Sequence, residues 1–300
     1  MGKVGRMSLF KNIKVHFAGA EQISFARCLG FSDVNYYLFT VFPFISNQFG
    51  IKGYPITVKR GFVPDELSKI SKHTIMDSGL FTLMFGAHAG NRDKDFLWRW
   101  QVALCDFVNK NNIKADCVEV DCQKILGVDE AWEFREKLRD MLPNNRQINV
   151  FHIPDGRKGL DRLIEFSEYI AISVPELRIA KRKTYKEDVY KLACYVKNKK
   201  PSIDIHLLGC TEKGLLQKCN FCTSADSTSW LQINRFGSFA GHHNSSVNPL
   251  KIAELYPSIK KMLIEYGLEP TEKKIQYHAR YAIAGKLLKS EYVKYAGSQE

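Results

Sequence analysis

The sequence has no apolar stretch long enough to cross a bilayer. Its longest such run, "YYLFTVFPFI" at 36–45, is short and contains Pro43. The opening "MGKVGRMSLFKNIKV" lacks the apolar core of a secretory signal, and Arg6 stands where a myristoylation signal wants Ser or Thr. There is no internal repeat and no low-complexity linker. No glycine-rich dinucleotide fingerprint and no Walker motif occurs, so no redox cofactor or ATP is implied. Eight cysteines at irregular intervals do not form the framework of a secreted disulfide protein. These absences lead us to expect a reduced, cytoplasmic protein with no membrane partner.

What is present is positive charge. Lys and Arg outnumber Asp and Glu by 44 to 32, a formal net charge of +12. A surplus of that size favours a polyanionic partner, nucleic acid ahead of an anionic membrane surface. A merely soluble basic enzyme would also carry it. With 300 residues, 45% of them hydrophobic, the chain can bury one large core without dividing into two domains.

Eight short β-rich runs recur, at 13–19, 34–41, 73–79, 116–122, 148–154, 169–174, 203–209 and 222–230. Amphipathic helical patterns lie between many of them. Over 94–111, Phe96, Trp100, Ala103, Leu104 and Phe107 fall at helical spacing. The segment 129–142 opens with acids and carries Trp132, Phe134 and Leu138, and 185–200 closes in cations, as the helix dipole prefers. Alternating strand and helix imply a parallel sheet covered on both faces. Eight units imply a (β/α)8 TIM-type barrel over 1–248. Two helices, 249–266 and 271–295, then form a C-terminal helical extension over 249–300, packed on the barrel as part of the same domain. The second is basic, with Lys273, Lys274, Arg280, Lys286 and Lys289.

Barrel active sites use the C-terminal ends of the strands. Here those ends carry Asp77, Asp121, His152, Ser173, the Gly209–Cys210 turn and Asp226. An Asx turn or helix cap accounts for any one of the acids. Three together are harder to explain that way, because a buried unpaired carboxylate is costly. Two facing acids can break a bond at an anomeric carbon, one attacking it and the other protonating the leaving group. A third, which as a carboxylate only accepts hydrogen bonds, suits a substrate edge rich in N–H donors, such as guanine. A base flipped out of a nucleic acid would fit such a pocket in a basic protein.

These residues also resemble a known family. "IMDSGLFTLMFG" resembles the Asp-Ser-Gly-Gly-Phe/Tyr-Gln motif of tRNA-guanine transglycosylases. "DIHLLG" followed by "SADSTSW" resembles their His/Arg-Tyr-Leu-Met-Gly strand and the nucleophile strand after it, and "VEVDCQ" resembles the strand of their base-reading Asp. The opening "VHFAGAEQISFARCLGFSDVNYYLFTVFPF" and "DSTSW" are most similar to the DpdA branch, which exchanges guanine for 7-deazaguanines in DNA, including in bacteriophages. The likeness covers about residues 13–241.

The resemblance implies a glycosyltransferase with DNA and a free 7-deazaguanine base as partners, in the cytoplasm of a host cell if a bacteriophage encodes it. It makes Asp226 the nucleophile at C1′ and Asp77 the acid/base. Phe81 and Leu208 would face the base on its two sides, stacking being worth roughly 1–3 kcal/mol per base. Asp121 would read the guanine N1/N2 edge, and Ser78, Gln123 and Gly209 join the base-binding set. His152 stands where the family has Gln, and Ser173–Val174 where it has a Gly-Gly pair, so base recognition departs from the family pattern there. The family's zinc site after the nucleophile strand is not matched, because no cysteine follows Cys222, and no counterpart of the archaeal RNA-binding domain follows. Both absences favour DNA over tRNA. The same chemistry on tRNA, a glycosylase that leaves an abasic site and a non-catalytic nucleic-acid-binding barrel are the alternatives. Homodimerisation is left open.

Cys219 and Cys222 have the spacing of half a zinc site, but two further ligands are lacking, and buried thiols joining a helix to a strand account for them better; no metal is expected. The glycine-containing segment 85–91, with His88, reads as a loop closing over a flipped base. Arg92, Arg235, Lys181, Arg182 and Lys183, the last three in "RIAKRKTYK" with Arg178 and Lys186, read as contacts to the nucleic-acid backbone. Reversing the charge of Lys181, Arg182 and Lys183 together is therefore expected to weaken DNA binding and flatten its dependence on salt. A titration of affinity against salt concentration checks this, and an unchanged slope would reject it.

Overall fold

The computed structural model describes residues 13–51, 67, 69–85, 90, 92–239 and 241–297. Eight strands form a closed parallel barrel in sequence order. They are β1 (Lys14–Ala18), β2 (Tyr36–Thr40), β3 (His73–Asp77), β4 (Asp116–Val118), β5 (Gln147–Phe151), β6 (Tyr169–Ser173), β7 (Asp204–Leu208) and β8 (Ser224–Ser227). β8 closes on β1 with Lys14 opposite Ser224 and His16 opposite Asp226. This is the (β/α)8 architecture expected from the eight β-rich runs, with helices between the strands and a helical C-terminal region.

Strand alternation sorts the side chains. Val15, Phe17, Tyr37, Phe39, Met76, Ile170, Ile172, Ile205 and Leu207 belong to the large core shared with the helices. Ala18, Leu38, Ile75, Val118, Ile148, Val150, Tyr169 and Ala171 form a second cluster drawn from strands alone, which fills the barrel. The remaining inward positions are polar. Towards the N-terminal ends, Arg146 bridges Asp116 (2.6 Å) and Asp204 (2.5 Å), and Asp116 also pairs with His73 (2.9 Å). His73 Nδ1 meets His16 Nε2 at 2.7 Å. Burial holds the fully enclosed His16 well below its ordinary pKa, with the neighbouring His73 and His206 adding to the effect.

Local chemistry sets the element ends. β8 is shorter than the run 222–230, because the Ser227 hydroxyl takes the Ser229 N–H (3.1 Å) and a helix (Ser229–Phe236) begins there. Trp230 thus lies on a helix, and its Nε1 donates to Ala18 O at the end of β1 (2.7 Å). β4 ends after Val118, where the Glu119 carboxylate, not a strand carbonyl, accepts the Val150 N–H (2.8 Å). The helix Lys94–Lys110 is capped by Asp93, which accepts from Phe96 N (2.8 Å), and Trp100 Nε1 ties it to Ser78 O behind β3 (2.8 Å).

The helix Val128–Met141 departs from a simple amphipathic pattern. Its Arg135 is 1% exposed and donates through Nε to both oxygens of Glu119 (3.0 and 2.7 Å) and through Nη2 to Val150 O (3.0 Å). The C-terminal helices Pro249–Glu265 and Glu272–Ala296 pack on the barrel: Ser32 Oγ donates to Ala282 O, and Phe17 and Tyr292 meet edge to face with centroids 5.4 Å apart.

Arg135→Met would leave Glu119 buried without its partner. Such a loss costs about 3–5 kcal/mol. Denaturant unfolding of the variant should show a drop of that order, with the double variant carrying Glu119→Leu recovering part of it.

Candidate active site

The C-terminal mouth of the barrel gathers inward residues from most strands. Asp77 ends β3, and its Oδ2 accepts the Gly79 N–H at 2.9 Å. Gly79 sits at φ +78°, and a Cβ there would come within 2.9 Å of the Phe42 Cβ. The Asp-Ser-Gly sequence is thus a turn that returns an N–H to its own acid, and only glycine fits its third place. Burial raises Asp77 to about 7, and the charges of Asp121 and Asp226 push the same way, against hydrogen bonds from Gly79 and the Thr40 side chain. Those couplings place the three acids in one electrostatic space.

Asp226 is buried, and its Oδ1 accepts from His206 Nε2 (3.1 Å) and from Gly209 N (2.7 Å). Among the described residues no hydrogen bond falls on its Oδ2. Gly209 has φ +65°, and a Cβ there would meet Pro175 at 2.8 Å. His206, fully buried, shares its Nδ1 with Ser224 Oγ (2.5 Å), which in turn meets the Tyr169 hydroxyl (2.5 Å). One face of Asp226 is therefore fixed by a buried polar chain within the barrel.

Asp121 belongs to a different arrangement. His152 Nε2 donates to Asp121 Oδ2 (2.9 Å) and its Nδ1 to Glu176 Oε2 (2.6 Å), and Lys124 pairs with Glu176 (2.8 Å). Burial by itself would lower the His152 pKa, but the two carboxylates outweigh it and raise the imidazole to about 9. His152 is thus held as a cation between two acids, a role the residue type alone did not disclose.

The other sequence candidates divide into several groups. Phe81 is 72% exposed, in the short helix Leu80–Phe85 that follows β3. Leu208 packs on the barrel-filling cluster, and Ser173 is buried at the end of β6. Ser78 is buried, and its carbonyl is engaged by Trp100. Gln123 serves the scaffold: its amide donates to Val150 O (2.9 Å) and lies 3.4 Å from Asp155 Oδ2. Asp155 in turn accepts the His152 N–H (2.8 Å). Arg235, Lys181, Arg182 and Lys183 are exposed on the segments that follow β8 and β6. Arg92 differs from them, with its guanidinium over the Phe96 ring at 4.5 Å. The loop read at 85–91 lies largely outside the described residues, His88 included.

Cys219 and Cys222 are fully buried, and burial together with Cys219 pushes the Cys222 thiol well up. Among the described residues no group of three or more His, Cys, Asp and Glu side chains is placed to hold a metal ion. No family model and no curated protein matches this chain.

Three residues of the mouth were not singled out in the sequence. His206 holds Asp226, and Glu176 holds the imidazole that pairs with Asp121. Glu21, after β1, is a further carboxyl on this face: burial pushes it up, against hydrogen bonds from backbone at Glu21 and Thr40 and the charge of Arg235. The inward parity of β7, Asp204–His206–Leu208, was the one available signal for His206. Chemically, the mouth offers a carboxyl that exchanges a proton near neutral pH, a second with one free oxygen, and a third beside a buried cation.

The His152 pKa of about 9 lies above its ordinary 6.5, so its pairing stabilises the fold fully below about pH 6.5 and ceases to do so as pH rises through 9. The stability advantage of the wild type over His152→Gln should be greatest near pH 6 and shrink above pH 9 in denaturant unfolding series. An advantage that grew with pH would contradict the arrangement.

Proposed function

We propose that this protein is a transglycosylase that exchanges guanine in DNA for a 7-deazaguanine through a covalent aspartyl-glycosyl intermediate. The observation that carries the reading is Asp77, raised to about 7 beside Asp121 and Asp226. A carboxyl of that kind can give a proton in one half-reaction and take it back in the next. Asp226, with Oδ1 anchored and Oδ2 free, suits the nucleophile. In the first half, Oδ2 attacks C1′ while the bond from C1′ to guanine N9 breaks. The bonding pair leaves with the base, which takes the Asp77 proton. In the second half, the incoming base gives its N9 proton to Asp77 and attacks C1′, and the Asp226 carboxylate departs. One N-glycosidic bond replaces another, so no external energy source is needed.

Asp121 fits the edge of the base. Its Oδ2 is held by the His152 imidazolium, and its other oxygen accepts from a ligand N–H. Phe81, exposed in the helix after β3, offers a stacking surface for a flipped ring. The net charge of +12 and the exposed cations after β6 and β8 support a nucleic acid as the carrier of that base. DNA rather than tRNA follows the resemblance of the sequence.

Incubation with labelled guanine and either polymer tests the reading: label should enter DNA and not tRNA. A protein–DNA adduct should survive a denaturing gel for the wild type and vanish for Asp226→Asn. Adduct formation in a single turnover should fall as pH rises above about 7, because Asp77 loses the proton the leaving base needs. Asp77→Asn should slow exchange by about 10²–10⁴-fold, the usual worth of a general acid. Release of free guanine with no incorporation would instead identify a glycosylase.

A further inference from the structure

Large apolar side chains are exposed on the face that carries the acids. Phe81 follows β3, Ile153 follows β5, Ile179 follows β6 and Phe236 follows β8. Two of them are extreme: Ile179 is 84% exposed and Phe236 is 74% exposed. Each ends or nearly ends a short helix, Val174–Ala180 and Ser229–Phe236. Both helices lie at the mouth. The helix that runs back to the start of β7 begins only at Tyr185, so residues 174–184 stay on the C-terminal side. Ser229–Phe236 crosses the end of β1, where Trp230 binds Ala18 O and the Arg235 charge acts on Glu21.

A cation immediately precedes each side chain, and further cations follow Ile179. Ile179 follows Arg178 and precedes Lys181, Arg182 and Lys183, all exposed, with Lys181 only loosely engaged by Asp188 at 3.8 Å. Phe236 follows exposed Arg235 and precedes Gly237, whose φ of +79° ends the helix there. An apolar tip beside cations fits a polyanion with an apolar interior. A stacked duplex is such a partner, with phosphates outside and base faces within. A second copy of this chain fits less well, since it would bring the same cations together.

We propose that Ile179 and Phe236 are wedges that enter a nucleic-acid duplex at the target site and fill the gap left by a base drawn into the barrel. This rests on the base-exchange reading above and adds how a paired base becomes reachable. Unstacking a base step costs free energy, which an inserted apolar side chain and contacts to the flanking phosphates offset. Base flipping at a duplex therefore depends on the wedges in a way that the same strand unpaired does not.

The test uses a duplex with 2-aminopurine next to a guanine, whose fluorescence rises on unstacking. The wild-type protein should raise that fluorescence, and the variant Ile179→Ser/Phe236→Ser should raise it at least tenfold less at saturating protein. The ratio of exchange rates on duplex and on single strand should fall by a similar factor. Both positions are so exposed that folding should be unaffected, which a thermal melt checks. Equal fluorescence for variant and wild type overturns the proposal, as does a wild type that exchanges bases in single strands yet unstacks no duplex. Unstacking that depends on the wedges, without base exchange on any polymer, would uphold the inference and reject the transglycosylase reading. A variant whose only change is from dimer to monomer in sedimentation would assign the side chains to a contact between copies and overturn the wedge.

Discussion

Three carboxyl groups crowd one barrel mouth, and like charges at close range in a poorly solvated space repel strongly. Each acid meets that constraint in its own way. Asp77 is pushed towards holding a proton. Asp121 is matched by an imidazolium, which Glu176 holds from the other side. Asp226 is anchored by the Gly209 N–H and by His206. The three solutions differ, so three groups of one chemical type acquire three characters: a carboxyl held towards its protonated form, an acceptor with a fixed orientation and a carboxylate anchored through one oxygen.

Support for that division lies a layer outward. Glu119, Arg135, Asp155 and Gln123 form a buried cluster beside β4 and β5. It takes over where backbone pairing between those strands stops, and it ends in the Asp155 contact to the His152 N–H. The position of the imidazolium is therefore set by a helix whose sequence pattern concerns packing. This is how residues far from any ligand come to determine the geometry at the mouth.

Much of the architecture was legible because it depends on local alternation. Seven of the eight strands fall within the runs 13–19 to 222–230 and β5 starts one residue ahead of its run, at Gln147, while the long helices begin and end within a residue or two of their periodic patterns. Asp77 and Asp226 stood out because they lie at or next to the C-terminal ends of their strands. What was not legible depends on partners distant in the chain. Arg135 looks like one more surface cation in "EFREKLRD" until Glu119 and the Val150 carbonyl are brought against it. Gln123 looked like a base contact because it follows "VDC", whereas its amide is taken up by Val150 and Asp155. His152 was placed at the mouth by its strand, but its cationic state arises from Asp121 and Glu176 on two other segments.

The polar lower half of the barrel bears on how the sheet closes. Arg146, Asp116, Asp204, His73 and His16 belong to five separate segments, yet they satisfy one another only when the strands lie in the observed alignment. An apolar filling tolerates small displacements, because one methyl group packs much like another. A ring of charges and imidazoles does not. Sliding one strand by a residue would turn its charge outwards and leave its neighbours' half-buried charges without partners. The lower network thus works as a register lock: it rejects misaligned closures, and so fixes where on the rim each acidic side chain emerges.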